Sequence, residues 1–233
     1  MIYYENIKVI AFDADDTLWV NETYFREAEH EFAQLLAKYE TENKIDQELF
    51  TIEIKNLSYY GYGIKGFVLS MIECALELSN YQLNPRIIQR ILDIGKEMLK
   101  KPIELLPHIE MVLKALQPNY RLIVATKGDL LDQERKLEKS NLLQYFHHIE
   151  VMSDKKEKDY KKLLSHLDIT PSEFLMIGNS LKSDVLPLIN IGASAVHVPF
   201  HTTWKHEEVA EKEQSKTAYK TVANCKEILS LFK

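Results

Sequence analysis

The sequence predicts an α/β fold: a doubly wound parallel sheet with an α-helical segment inserted after its first strand. Three observations predict it. Four short apolar runs lack the alternation of a half-exposed strand, as expected where helices cover both faces of a sheet. They are VIAF at 9–12, LIVA at 122–125, FLMIG at 174–178 and SAVHV at 194–198. Helical patterns separate them, and strand alternating with helix is the signature of a parallel sheet. The interval between Phe12 and Leu122 is far longer than one crossover helix needs.

VIAF, the first strand, runs directly into Asp13, Asp15 and Asp16. Aspartates end strands and cap helices, but three in four positions need more. Two carboxylates about 4 Å apart repel by roughly 4 kcal/mol at an effective dielectric of about 20. Solvent, a lysine, a proton or a metal ion has to offset that. From about Glu22 to Lys101 the pattern is helical. YFREAEHEFAQLLAKYE, GFVLSMIECALEL and PRIIQRILDIGKEMLKK each gather apolar residues near one face. SYYGYGIKGF, at 58–67, interrupts them with three of the seven glycines, three tyrosines and Lys65. It reads as a closing loop, with Tyr62 and Lys65 as candidate substrate contacts. LIVA leads into TKGD, and a weaker strand, HIEVM at 148–152, leads into SDKKEK. TPSE at 170–173 has the Thr-x-x-Glu capping pattern with Pro171 at the first helical position. LKSDVLPLINIG reads as a helix from about Leu181 closed by Gly192, and Thr221 to Lys233 as a covering helix. Trp19 is expected to pack where the sheet core meets the helical insert.

Composition narrows the function. The chain has 233 residues, 45% of them hydrophobic, enough for one core or a main domain with a smaller one. A net charge of −6 speaks against nucleic acid or an anionic membrane as partner. Cys74 and Cys225 have no metal-ligand spacing and read as reduced thiols. MIYYENIK lacks a signal-peptide pattern, so the expected location is cytoplasmic. His147, His148, His197, His201 and His206 form no recognisable site.

Ligands of doubly wound, Rossmann-like sheets bind beyond the carboxyl ends of the strands. There this chain places DADDT, TKGD, SDKKEK and GNSLKSD. Asp13, held at a strand end, can act as a nucleophile. Asp15 can protonate a leaving oxygen and later deprotonate water. Thr126, Lys127 and Gly128 make a cradle for phosphate oxygens. Lys155 can balance Asp13 and an incoming anion, with Lys156 the alternative by spacing. Oxygens of Asp13, Asn179 and the Asp15 backbone carbonyl suit Mg²⁺, with Asp184 holding one of its waters.

These motifs, in this order, resemble the haloacid dehalogenase superfamily. Asp13-Ala14-Asp15-Asp16-Thr17 matches its DxDxT motif, Thr126 the second, Lys155 the third, and Gly178-Asn179 through Asp184 the fourth. The resemblance implies an α/β core at 1–20 and 102–233 with a C1-type helical cap at 21–101. It also implies a Mg²⁺-dependent phosphatase acting on a small phosphorylated metabolite through a phosphorylated Asp13. Members that cleave carbon–halogen bonds lack the acid/base Asp that Asp15 represents. Two departures stand out: Asn179 replaces the usual metal-ligand Asp, and Lys155 is followed by Lys156 rather than proline. A sugar-phosphate mutase and a non-catalytic phosphoacceptor or binding domain are the alternatives. The chain is expected as a monomer or homodimer.

Overall fold

The computed structural model describes residues 6–210 and 219–232. Of the segments discussed above, 1–5 and Lys233 lie outside the described residues. The chain divides into two compact units, Met1–Glu22 with Ile103–Lys127 and Gln133–Lys233, and Thr23–Pro102 with Gly128–Asp132.

The first unit is built on a six-stranded parallel sheet of order β3-β2-β1-β4-β5-β6. The strands are β1 (Val9–Phe12), β2 (Arg121–Lys127), β3 (His148–Met152), β4 (Phe174–Gly178), β5 (Ser194–His197) and β6 (Lys220–Thr221). β1 is central: Ile10 is in register with Leu122 on one side and Leu175 on the other. Successive strand side chains point to opposite faces, and here both faces are covered. Ile10 and Phe12 join the core built with Ile109, Val112 and Leu113 of α5 (Ile109–Leu116). Val9 and Ala11 join the core built with Tyr160, Leu163 and Leu164 of α7 (Glu157–His166). Full burial of each large side chain contributes about 1.5–3 kcal/mol, which is why the strand sequences are continuously apolar.

The remaining elements of this unit depart from expectation in three places. TPSE forms a single 3₁₀ turn, Pro171–Glu173, whose Glu173 carboxylate accepts the Thr170 N–H at 2.7 Å before β4 begins. The stretch after β4 opens as a π-turn, Leu181–Val185, before the short helix α8 (Leu186–Asn190). The tail adds β6 to the sheet edge and then a 3₁₀ run, Cys225–Phe232, that buries Ile228 against the α5 side. Trp19 is fully buried in this unit's own core.

The second unit holds α1 (Glu22–Leu36, entered from the first unit), α2 (Glu42–Tyr60), α3 (Ile64–Leu78) and α4 (Pro85–Lys100). Their apolar faces make a separate core around Phe32, Leu49, Phe67, Met71, Ile91 and Ile94. Asn84 caps α4, accepting the Arg86 N–H at 3.0 Å, with Pro85 at the first helical position. SYYGYGIKGF is not one loop. Only Gly61–Gly63 lies between helices, and Lys65 and Gly66 sit in the first turn of α3. A Cβ on Gly66 would stand 3.0 Å from the Gly61 carbonyl oxygen, so this glycine allows a tight helix–helix turn. Among the described residues, no helix is long and apolar enough to cross a membrane.

Candidate active site

The Asp13 backbone N–H extends the β1 ladder, donating to the Ile177 carbonyl at 2.9 Å, and this holds its carboxylate at the sheet's carboxyl edge. That carboxylate meets the ammonium of Lys155, which also donates to Asp184 Oδ1 at 2.7 Å. Lys155 is only 2% exposed. A buried ammonium is tolerated only with carboxylate partners, and Lys155 has two. Burial works against its charge, yet Asp13 and Asp184 more than offset this and raise its pKa above the ordinary lysine value. Burial likewise pushes the Asp13 carboxyl up to about 7, against the pull of Lys155. Lys156 is exposed, pairs with Asp154 at 2.7 Å and precedes α7. The buried lysine is therefore Lys155.

Asp15 faces a different set of donors. Its Oδ1 accepts Trp19 Nε1 at 2.8 Å and Lys136 Nζ at 2.9 Å, and its Oδ2 accepts Gln133 Nε2 at 2.8 Å. Burial pushes this carboxyl up, but the Lys136 ammonium, aided by the hydrogen bonds, holds it below its ordinary value. Asp16 takes the left-handed conformation, with φ +60°. Its side chain accepts the backbone N–H groups of Asn21 at 2.8 Å and Glu22 at 3.0 Å, capping the start of α1. Burial pushes its carboxyl up to about 8, while these N–H groups pull the other way. The like charge at 13–16 is thus shared among Lys155, Lys136 and a helix N-terminus.

The loop after β4 completes the rim. A Cβ on Gly178 would overlap the Asp184 carboxylate, so only glycine leaves room for it. Asp184 Oδ2 accepts the Ser180 N–H at 3.0 Å. Asn179 Oδ1 accepts the Thr17 hydroxyl at 3.3 Å, and the Asn179 carbonyl is 3.0 Å from His197 Nε2. Glu207, from a 3₁₀ turn after β5, accepts Lys127 Nζ at 2.6 Å, Ser180 Oγ at 2.5 Å and Ser183 Oγ at 2.6 Å. Burial raises the Glu207 carboxyl, but Lys127 and the serine hydroxyls bring it down to about 2.

Thr126 is buried at the end of β2, its hydroxyl donating to the Lys127 carbonyl at 3.1 Å. Gly128 has φ +125°, a conformation that suits glycine. Lys127, expected to contact substrate, has its ammonium on Glu207 and Ser183. Of the two cap candidates, Tyr62 lies in the short turn before α3, and Lys65 pairs with both Asp129 oxygens at 2.9 Å within the second unit.

Asp13, Lys155 and Asp184 are therefore brought together, with Thr17 and Asn179 bonded to each other on the adjoining loops. Sequence reasoning missed Lys136, Gln133 and Glu207. Gln133 and Lys136 lie three apart on one face of α6 (Leu130–Lys139), a faint signal in a helix rich in charge. Nothing in HTTWKHE marks Glu207 in advance.

The donors that would hold a magnesium ion are the Asp13 carboxylate, the Asp15 backbone carbonyl, the Asn179 amide oxygen and Asp184. They are all oxygen, which fits that hard cation. Among the described residues no three His, Cys, Asp or Glu side chains form a metal-binding group. The set here rests on two carboxylates, an amide and a carbonyl.

A model of the haloacid dehalogenase-like hydrolases matches residues 7–192. No curated protein matches the chain. Among solved structures, a haloacid dehalogenase-like family hydrolase from Xanthomonas campestris is 36% identical. The match covers 97% of this chain and 92% of that one, with a TM-score of 0.85. A HAD-hydrolase from Bacillus subtilis bound to magnesium is 15% identical, covering 98% and 100%, with a TM-score of 0.65. A 2-haloacid dehalogenase from Pseudomonas syringae is 16% identical, covering 97% and 98%, with a TM-score of 0.61.

Proposed function

Because the chain belongs to the haloacid dehalogenase-like hydrolases, we propose that it is a magnesium-dependent phosphatase of small phosphorylated metabolites rather than a dehalogenase. One observation carries the choice: three donors, Trp19, Gln133 and Lys136, are spent on placing the Asp15 carboxylate. A departing halide needs no proton. A departing alkoxide does, and a carboxyl group two residues from the nucleophile can supply it.

In this reading an Asp13 oxygen attacks phosphorus, forming an acyl-phosphate bond as the ester P–O bond breaks. Asp15 gives its proton to the leaving oxygen. It then takes a proton from water as that water attacks the phosphorus and restores Asp13. Asp15 is held ionised in the free protein, which suits the second step. An incoming dianion favours its protonated form and suits the first. Lys155 balances the charge of Asp13 and the transferring group, and the Thr126 hydroxyl would hold a phosphoryl oxygen. Asp13, the Asp15 carbonyl, Asn179 and Asp184 would hold magnesium, which supplies positive charge against the phosphoryl oxygens. The neighbour bound to magnesium supports this choice of metal.

The test is phosphate release from 4-nitrophenyl phosphate with and without Mg²⁺, run beside chloride release from 2-chloropropionate. The expected result is Mg²⁺-dependent phosphate release that Asp13→Asn abolishes. Metal-independent chloride release without phosphate release would overturn the proposal.

A further inference from the structure

We infer that Lys136 is a positioning residue that acts through Asp15, fixing the carboxyl group that exchanges protons with the leaving oxygen. The inference rests on the phosphatase reading and deepens it. Lys136 belongs to none of the four motifs. Its ammonium donates to Asp15 Oδ1 at 2.9 Å and to Asn21 Oδ1 at 2.8 Å, so it spans both ends of the segment that carries Asp15. It is nearly buried, with 12% of its side chain exposed.

Gln133, one helical turn earlier, strengthens the argument. Its Nε2 donates to Asp15 Oδ2 at 2.8 Å and to the Lys127 carbonyl at 3.0 Å. Among the described residues its buried Oε1 has no hydrogen-bond partner. Turning the amide over would face that oxygen towards two acceptors. The amide therefore has one workable orientation, and it leaves a polar atom unsatisfied in order to serve Asp15. Trp19 Nε1 closes the third side. Three donors on two elements thus restrain one carboxylate in position and rotation.

A residue that only stabilises the fold would affect all substrates alike. A residue that places the proton donor should matter in proportion to the leaving group's need for a proton. The experiment is a series of phosphate esters assayed with Mg²⁺, from 2,4-dinitrophenyl phosphate through phenyl phosphate to a simple alkyl phosphate. Lys136→Met is expected to lose about 10- to 100-fold in kcat/KM, which reports the step that expels the leaving group, on the alkyl ester and less than about 3-fold on the dinitrophenyl ester, a fraction of the roughly 10²–10⁴ that a general acid supplies. Asp15→Asn should show the same slope, steeper, and the double variant should be no slower than Asp15→Asn alone. Gln133→Leu provides a second reading should Lys136→Met not fold. Equal losses across the series, or losses that add in the double variant, would overturn the inference. A wild-type protein that turns over none of these esters would instead sink the phosphatase reading, and the inference with it.

Discussion

Asp13, Asp15 and Asp16 stand within four positions, and each meets a different counterweight: a buried lysine, a second lysine with two neutral donors, and the N–H groups of a helix start. Glu207 shows the same economy on the facing loop. Its carboxyl lies near 2, against an ordinary value of 4.5, because Lys127 and two serines favour its charged form. A carboxyl lowered by folding adds stability above its unfolded pKa, and loses it as pH falls through the folded one. The Glu207→Gln variant should therefore be less stable than wild type at pH 6–8, by on the order of 3 kcal/mol. The gap should close between about pH 4.5 and 2, as denaturation midpoints measured across that range would show. A gap independent of pH would mean that Lys127 does not sense this charge. At this scale the sequence was legible where the candidate site sits next to a strand end. Asp13 follows from its place at the end of β1, while Lys155 was separable from Lys156 only by its burial. Lys136 and Glu207 do not follow from position, because a lysine on a charged helix and a glutamate in a histidine-rich loop look the same whether solvated or buried. Lys127 shows the converse: the sequence offers it as a cation beside a phosphate cradle, and only the structure reveals its carboxylate partner Glu207.

Strands were legible as elements because burial on both faces leaves continuous apolar runs, a signal that needs no neighbour to interpret. Short turns were not. Pro171–Glu173 and a true helix start share one capping pattern, and only the immediate onset of β4 distinguishes them. The π-turn at Leu181–Val185 carries no compositional mark. Such turns are often found at functional sites, and this one brings the Asp184 carboxylate back onto the Ser180 N–H. Gly178 is the element's constraint. In Gly178→Ala the new methyl would meet the Asp184 carboxylate. Overpacking of this kind costs about 1–3 kcal/mol. The variant should unfold at lower denaturant and, in the proposed magnesium-dependent phosphatase reaction, need more Mg²⁺ for half-maximal phosphate release. Unchanged values for both would show that the loop yields without disturbing Asp184.

The whole molecule comprises two units, each with a hydrophobic core of its own. Within the first unit, the outgoing and returning chain are bonded side by side. The Val20 N–H donates to the Glu104 carbonyl, and the Leu106 N–H to the Leu18 carbonyl, both at 2.9 Å. Joining Glu22 to Ile103 through a few glycines should therefore leave the sheet intact. The expected product unfolds cooperatively with the circular dichroism of a mixed α/β protein. A shortened chain that stays unfolded would show that the sheet depends on the helical unit.

The central position of β1 has a consequence during synthesis. Its partners are Arg121–Val124 and Phe174–Ile177, so VIAF emerges from the ribosome long before either neighbour exists. Sheets paired over such distances form slowly, and an unpaired apolar strand is an aggregation hazard in the meantime. The helical unit, nearly contiguous in sequence, can condense while β1 waits. Asp13, Asp15 and Asp16 then serve as gatekeepers, since a nascent strand ending in three carboxylates repels its copies on neighbouring chains until translation delivers the partners that bury it.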